Sequence, residues 1–154
     1  MASTNQLIKP RLHAACLAHV QQRIAAAQHA MQAAQESANS ETKSSAGDKY
    51  ETGRAMAQEE RNRNAVQLQE ALKLQAELAR IDPTKSCDTV RPGALVETSL
   101  GWFYVSISAG KLAVDGQEVF AVSGAAPVAA VLSGKRAGEQ AVFNGKAVLI
   151  KAVA

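Results

Sequence analysis

Aromatic residues are scarce, and those present are unevenly placed. The 154 residues hold one Trp, two Tyr and three Phe, and Trp102, Phe103, Tyr104, Phe120 and Phe143 all fall after residue 100. The first two-thirds of the chain therefore lacks bulky material for a large globular interior, which excludes one core spanning the whole length. Long apolar runs are also absent. No stretch of about 18 apolar residues exists, so no membrane-spanning helix is expected, and MASTNQLIKP has no apolar region of a secretory signal. Only two cysteines occur, Cys16 and Cys87. A disulfide framework is not expected, and a reduced, cytoplasmic location with no membrane association follows as the default. Neither cysteine has a His or Cys at metal-ligand spacing. The three histidines, His13, His19 and His29, lie on one helical segment without partnering carboxylates and read as helix-surface residues.

What is present is Ala, Gln and Leu, the good helix formers. After Pro10, which reads as part of a helix's first turn, apolar positions run from His13 through Leu17, Val20 and Ile24 to Ala38 in alternating steps of four and three, the spacing of a heptad seam. The seam thins to alanine towards its end. Ser37 to Gly47 reads as a loop, and a second helix is expected from about Asp48 to Ile81, with Met56, Ala65, Leu68, Leu72, Leu78 and Ile81 on its apolar stripe. Asp82-Pro83 stops it. Two such helices form an antiparallel hairpin roughly 40 Å long at 1.5 Å per residue. Alanine in the seam is equally compatible with self-association.

Charge sharpens this outline. The net charge of +3 is too small to argue for nucleic-acid binding. Residues 36–60, however, hold six acids against three bases, whereas residues 1–35 hold Lys9, Arg11 and Arg23 and no acid. In an antiparallel hairpin these acids gather at the tip, near residues 40–56. There Asp48 and Glu51 stand three apart behind Gly47. The bland reading is a capping box, Asp48 and Glu51 satisfying backbone N–H groups of the first turn. The functional reading is that two carboxylates on one helix face assist a Mg²⁺ ion whose other ligands belong to a partner.

Beyond IDPTKSCDTVRPG, read as a linker, the period changes. "ALVET" and "WFYVSI" read as strands, "GKLAVDGQEVFAV" as two strands around Asp115-Gly116, and "EQAVFNGKAVLIKAV" as two more around Asn144-Gly145. "PVAAVLSG" reads as one short helix between Pro127 and Gly134. The expected fold class is α+β: a coiled-coil hairpin over 1–82, a linker over 83–92, and a small antiparallel sheet with one helix over 93–154.

Two stretches, in this order, carry a family likeness. "GDKYETGRAMAQEER" resembles the coiled-coil tip of the bacterial Gre transcript-cleavage factors, whose motif begins Gly-Asp with Glu three after the Asp. "SGAAPVAAVLSGKRAGEQAVFNGKAVLIKAV" is similar to the FKBP-like C-terminal domain of the same family, with Pro127 at the helix start and Gly134, Lys135, Arg136, Gly138 and Glu139 matching its turn. The resemblance implies a transcription elongation factor that binds RNA polymerase and enters its secondary channel. Asp48 and Glu51 would there help hold a Mg²⁺ shared with the polymerase, which itself cleaves the 3′ end of backtracked RNA. On this reading the chain is a cofactor-like stimulator rather than an enzyme. The family continues after its Glu with Asn-Ala-Glu-Tyr, where this chain has Thr52, Gly53, Arg54 and Ala55, so a secondary-channel regulator without cleavage is the second reading. A structural coiled-coil protein with no catalytic role is the third. Prolyl isomerase activity, also hosted by FKBP-like folds, is disfavoured because so few aromatics must first fill a core.

Overall fold

The computed structural model describes the backbone of residues 4–42 and 47–154 and the side chains of residues 4–40 and 52–154. Its class is α+β: two long helices, α1 (Thr4–Thr42) and α2 (Gly47–Ala79), then a six-stranded sheet interrupted by one short helix. The chain divides into two compact units, one of residues 20–75 and one that combines residues 1–19 with residues 76–154.

Among the described residues, the unit of residues 20–75 is helical. On α1, Val20, Ala27, Ala34 and Ala38 are buried and Ile24 and Met31 half-buried, which is the expected seam. The loop expected from Ser37 to Gly47 does not begin at Ser37, because α1 continues to Thr42 and α2 begins at Gly47; residues 43–46 lie outside the described residues. Ala38, 5% exposed, extends the seam one more step, and exposed Ser and Asn cost a helix only tenths of a kcal/mol each. The stripe expected on α2 holds in part: Leu78 is buried and Ala65, Leu68 and Ile81 are half-buried. Met56 and Leu72 are exposed at 64% and 38%, while Ala57 and Ala71 are buried and Arg61, Asn64 and Leu68 half-buried between them. Within residues 52–75 the buried positions are alanines, which lets the backbones approach, while Met56 and Leu72 lie towards solvent. Ala30, Ala34 and Ser37 share a groove with Gly53, Met56 and Ala57, while Arg23 and Ala26 share one with Asn64 and Gln67. As α1 advances α2 recedes, so the pair is antiparallel.

The second unit is built on the sheet. Its strands are β1 (Leu95–Thr98), β2 (Gly101–Ser106), β3 (Gly110–Val114), β4 (Gln117–Ser123), β5 (Gln140–Phe143) and β6 (Lys146–Val153), with α3 (Pro127–Leu132) between β4 and β5. The two dipeptide turns are where the sequence puts them. Asp115 and Gly116 have φ of 52° and 78°, Asn144 and Gly145 51° and 76°, the paired left-handed residues that match the twist of a two-residue hairpin. The expected antiparallel sheet is in fact mixed, in the order β3-β4-β2-β1-β6-β5 with β2 and β4 parallel. The β3–β4 hairpin folds back so that β4, not β3, lies beside β2, and two reversals of direction leave β4 running the same way as β2.

Alternation gives the sheet two buried faces. Val96, Phe103, Val105 and Ile150 form one core cluster with Val128 and Leu132 of α3. On the other face Tyr104 and Ser106 meet His13 and Cys16 of the first part of α1, where buried positions step by fours through Ile8, Leu12 and Cys16. His13 and Leu17, expected in the seam, are half-buried beside that row. Pro10 lies well inside α1, which begins at Thr4; having no N–H, it forgoes one helix bond. Residues 83–92, read as a linker, are packed: Cys87 and Val90 belong to the core cluster, the Val90 N–H donates to the Lys135 carbonyl at 2.9 Å, and the Gly134 N–H donates back to the Val90 carbonyl at 2.8 Å.

Candidate functional site

The carboxylates singled out in the sequence, Asp48 and Glu51, stand in the first turns of α2, which begins at Gly47. Their side chains lie outside the described residues. What the backbone supplies is the spacing: three residues apart on a helix, both Cβ atoms leave the same face. The other acids of the 36–60 stretch divide. Glu60 is engaged along its own helix, paired with Arg63 and accepting from Asn64 Nδ2 at 3.3 Å, and the Arg63 hydrogen bond holds its carboxyl below the usual value. Glu36 accepts from Gln32 at 3.4 Å. Glu60 and Glu36 thus satisfy helical neighbours. Among the described residues no group of three or more His, Cys, Asp or Glu could hold a metal ion.

The second sequence motif, Gly134 to Glu139, forms a turn. Gly134 and Gly138 adopt φ of 77° and 90°, where a side chain would be strained. Glu139 Oε1 accepts from the Arg136 N–H at 3.0 Å, the Gly138 N–H donates to the Ile150 carbonyl at 2.7 Å, and Arg136 bridges to Thr89. The acid of this turn is thus structural, leaving the exposed Arg136 side chain and the half-buried Lys135 as its outward chemistry.

One cleft of about 480 Å³ lies in the sheet unit. Arg80, Lys85 and Arg91 bring cationic groups to it, Ile81 and Pro92 apolar surface, and Cys87 a thiol. Asp82, also on its wall, accepts from the Thr84 N–H at 2.9 Å and from its hydroxyl, which hold its carboxyl below the usual range.

Sequence reasoning missed a group of buried titratable side chains in the same unit. Lys9 is fully buried; its Nζ donates to the Lys85 carbonyl at 2.7 Å and the Ala154 carbonyl at 3.2 Å and lies 3.9 Å from Cys87 Sγ. Burial lowers its pKa, the Cys87 thiol opposing that shift. His13, read as a surface residue, has its Nδ1 2.9 Å from the Tyr104 hydroxyl and its ring edge-on to the tyrosine at 6.3 Å between centroids, and burial lowers its pKa too. Tyr104 is fully buried and its phenol is pushed up by that burial. The available signal was the four-residue spacing of Ile8, Leu12 and Cys16, which identifies the buried row and puts Lys9 next to it. No helix among the described residues is long and apolar enough to cross a membrane.

A scan against protein-family models finds no match for this chain, and a search of the curated proteins finds none either.

Proposed function

We propose that this protein is an RNA polymerase-binding transcription elongation factor of the Gre type, which enters the secondary channel with its helical pair and assists Mg²⁺-dependent cleavage of backtracked RNA. The observation that carries the reading is an ordered conjunction. Gly47-Asp48 opens α2 of an antiparallel pair, with Glu51 one turn on, and the same chain then builds an α+β unit with Pro127 starting its short helix and Gly134 to Glu139 as its turn. An FKBP-like description of the sheet unit belongs to this proposal, supported by that helix, that turn and the closing β5–β6 hairpin.

Asp48 and Glu51 would hold the ion, with the remaining ligands coming from the polymerase and the RNA phosphate. Bound there, Mg²⁺ supplies charge stabilisation on the phosphate and an activated water. The chain's own part is positional: a helix first turn favours carboxylates electrostatically, and spacing of three aims them together. Phe103 and Tyr104 are 8% and 0% exposed, used up in the interior, which favours a docking role for the sheet unit over an isomerase pocket.

A second reading, a channel regulator without cleavage, is favoured by Thr52-Gly53-Arg54-Ala55 following Glu51, because Gly53 loosens the helix beside the acids by up to about 1 kcal/mol. Cleavage of stalled elongation complexes separates the two. Stimulation by the wild type that disappears with Asp48→Asn/Glu51→Gln, while polymerase binding persists, supports cleavage assistance. Binding without stimulation by either protein leaves the regulator. No binding to polymerase overturns both.

A further inference from the structure

We propose that Cys87 and Lys9 are a redox modification site, at which a peroxide converts the pair into a covalent sulfenamide joining residue 9 of α1 to residue 87. Three observations meet there. Lys9 is 0% exposed, and its Nζ contacts the Lys85 carbonyl oxygen, the main-chain oxygen of Ala154 and the Cys87 sulfur at 3.9 Å. Burial lowers this lysine's pKa, against the opposing pull of Cys87 and Asp82, which favours the neutral and nucleophilic amine. Cys87, 5% exposed, is on the wall of the 480 Å³ cleft, so a small oxidant has a route to a sulfur that the core otherwise covers.

The other thiol serves as an internal contrast. Cys16 is fully buried, does not line the cleft, has the Ser106 hydroxyl at 3.7 Å as its neighbour, and burial pushes its thiol up. It has neither a route for the oxidant nor an amine to capture the product.

The chemistry takes two steps. The Cys87 sulfur attacks one oxygen of hydrogen peroxide, the O–O bond breaks, the sulfur is oxidised by two electrons to sulfenic acid, and the other oxygen leaves as water with the thiol proton. The Lys9 nitrogen then attacks the sulfenyl sulfur. The S–N bond forms, the S–O bond breaks, and hydroxide leaves as water with one amine proton. Thiol, amine and one peroxide thus give sulfenamide and two waters. The lysine's unbranched stem lets Nζ close on the sulfur by releasing a carbonyl. A dithiol reductant restores both side chains.

The test is a peptide map of the full-length protein after hydrogen peroxide treatment, alkylation of remaining thiols and digestion without reductant. The expected product is a linked pair of peptides containing Lys9 and Cys87, lighter than their sum by two hydrogens, lost on adding dithiothreitol, with Cys16 still alkylated. Cys87→Ser abolishes it, and Lys9→Arg leaves a Cys87 sulfenic acid that dimedone traps. Cys87 still fully alkylated, or oxidised to sulfinic acid with no Lys9-linked peptide, overturns the proposal. The wild-type map decides this even if a Lys9 variant fails to fold.

Discussion

The helical unit and the sheet unit close their interiors with different material. In residues 20–75 the buried positions are Val20 and a set of alanines, including Ala27, Ala34, Ala57 and Ala71, with Arg61 and Asn64 half-buried among them. In the sheet unit Leu95, Tyr104, Ile107, Leu132 and Ile150 are each closed to solvent. A buried methyl contributes about 0.8 kcal/mol and a whole Leu or Ile side chain about 1.5–3 kcal/mol. One unit is therefore held mainly by apolar burial, the other by helix propensity and close backbone approach. Length of helix and amount of core are separate quantities here.

The sharpest way to break that comparison is to remove a large side chain. Ile150→Ala should cost the sheet unit about 2–5 kcal/mol by urea unfolding followed through Trp102 fluorescence. A loss below 1 kcal/mol would mean that the cluster around α3 is not what holds the unit. Next in size, Ala71→Gly in the seam should cost about 1–2 kcal/mol, from propensity and one lost methyl, read by far-ultraviolet circular dichroism. If it matched Ile150→Ala, the two interiors would be alike after all.

A third prediction uses pH. Burial lowers the pKa of His13, with Asp82 opposing, so the fold favours the neutral ring, whose Nδ1 can accept the Tyr104 hydroxyl proton while a charged ring cannot. The contribution is fully present above the ordinary value of 6.5 and is lost as pH falls below it through the folded value. Melting temperature should fall between pH 7.5 and pH 5, and His13→Gln should flatten that slope. An unchanged slope would remove His13 from the account. The smallest expected effect is Arg11→Ala, which breaks an exposed pair with Asp115 at 2.5 Å. It should cost at most about 1 kcal/mol and vanish in high salt.

Local chemistry was legible in the sequence wherever a residue's own backbone preference decided the outcome. Asp115-Gly116 and Asn144-Gly145 made their turns, Pro127 started α3, and the Val20 to Ala38 seam faced inward. What was hidden depends on partners distant along the chain. That β4 lies beside β2 is decided by which edge of a hairpin packs, and both edges have similar patterns. Cys87 and Val90 sit in a stretch with turn-like composition, yet their backbone bonds go to residues 134 and 135. The burial of Lys9 left no mark in the sequence because its acceptors, main-chain oxygens of Lys85 and Ala154, belong to any sequence. On α2 hydrophobicity located Leu78 and Leu68, but it also pointed to Met56 and Leu72, which are exposed while the neighbouring Ala57 and Ala71 are buried. Of the candidate site, the spacing of Asp48 and Glu51 could be read at once, whereas the cleft and its buried lysine required the fold.

The Lys9 contact with Ala154 has a consequence for synthesis. The sheet unit draws on residues 1–19 and on everything after residue 75, and β1 receives its second neighbour only from β6. During synthesis the first part of α1 lacks its burial partners until the residues after 75 have been made. Its Ile8, Leu12 and Cys16 stay uncovered throughout that interval, and a chain cut short before residue 146 leaves β1 with one edge of strand hydrogen-bonding groups unpaired.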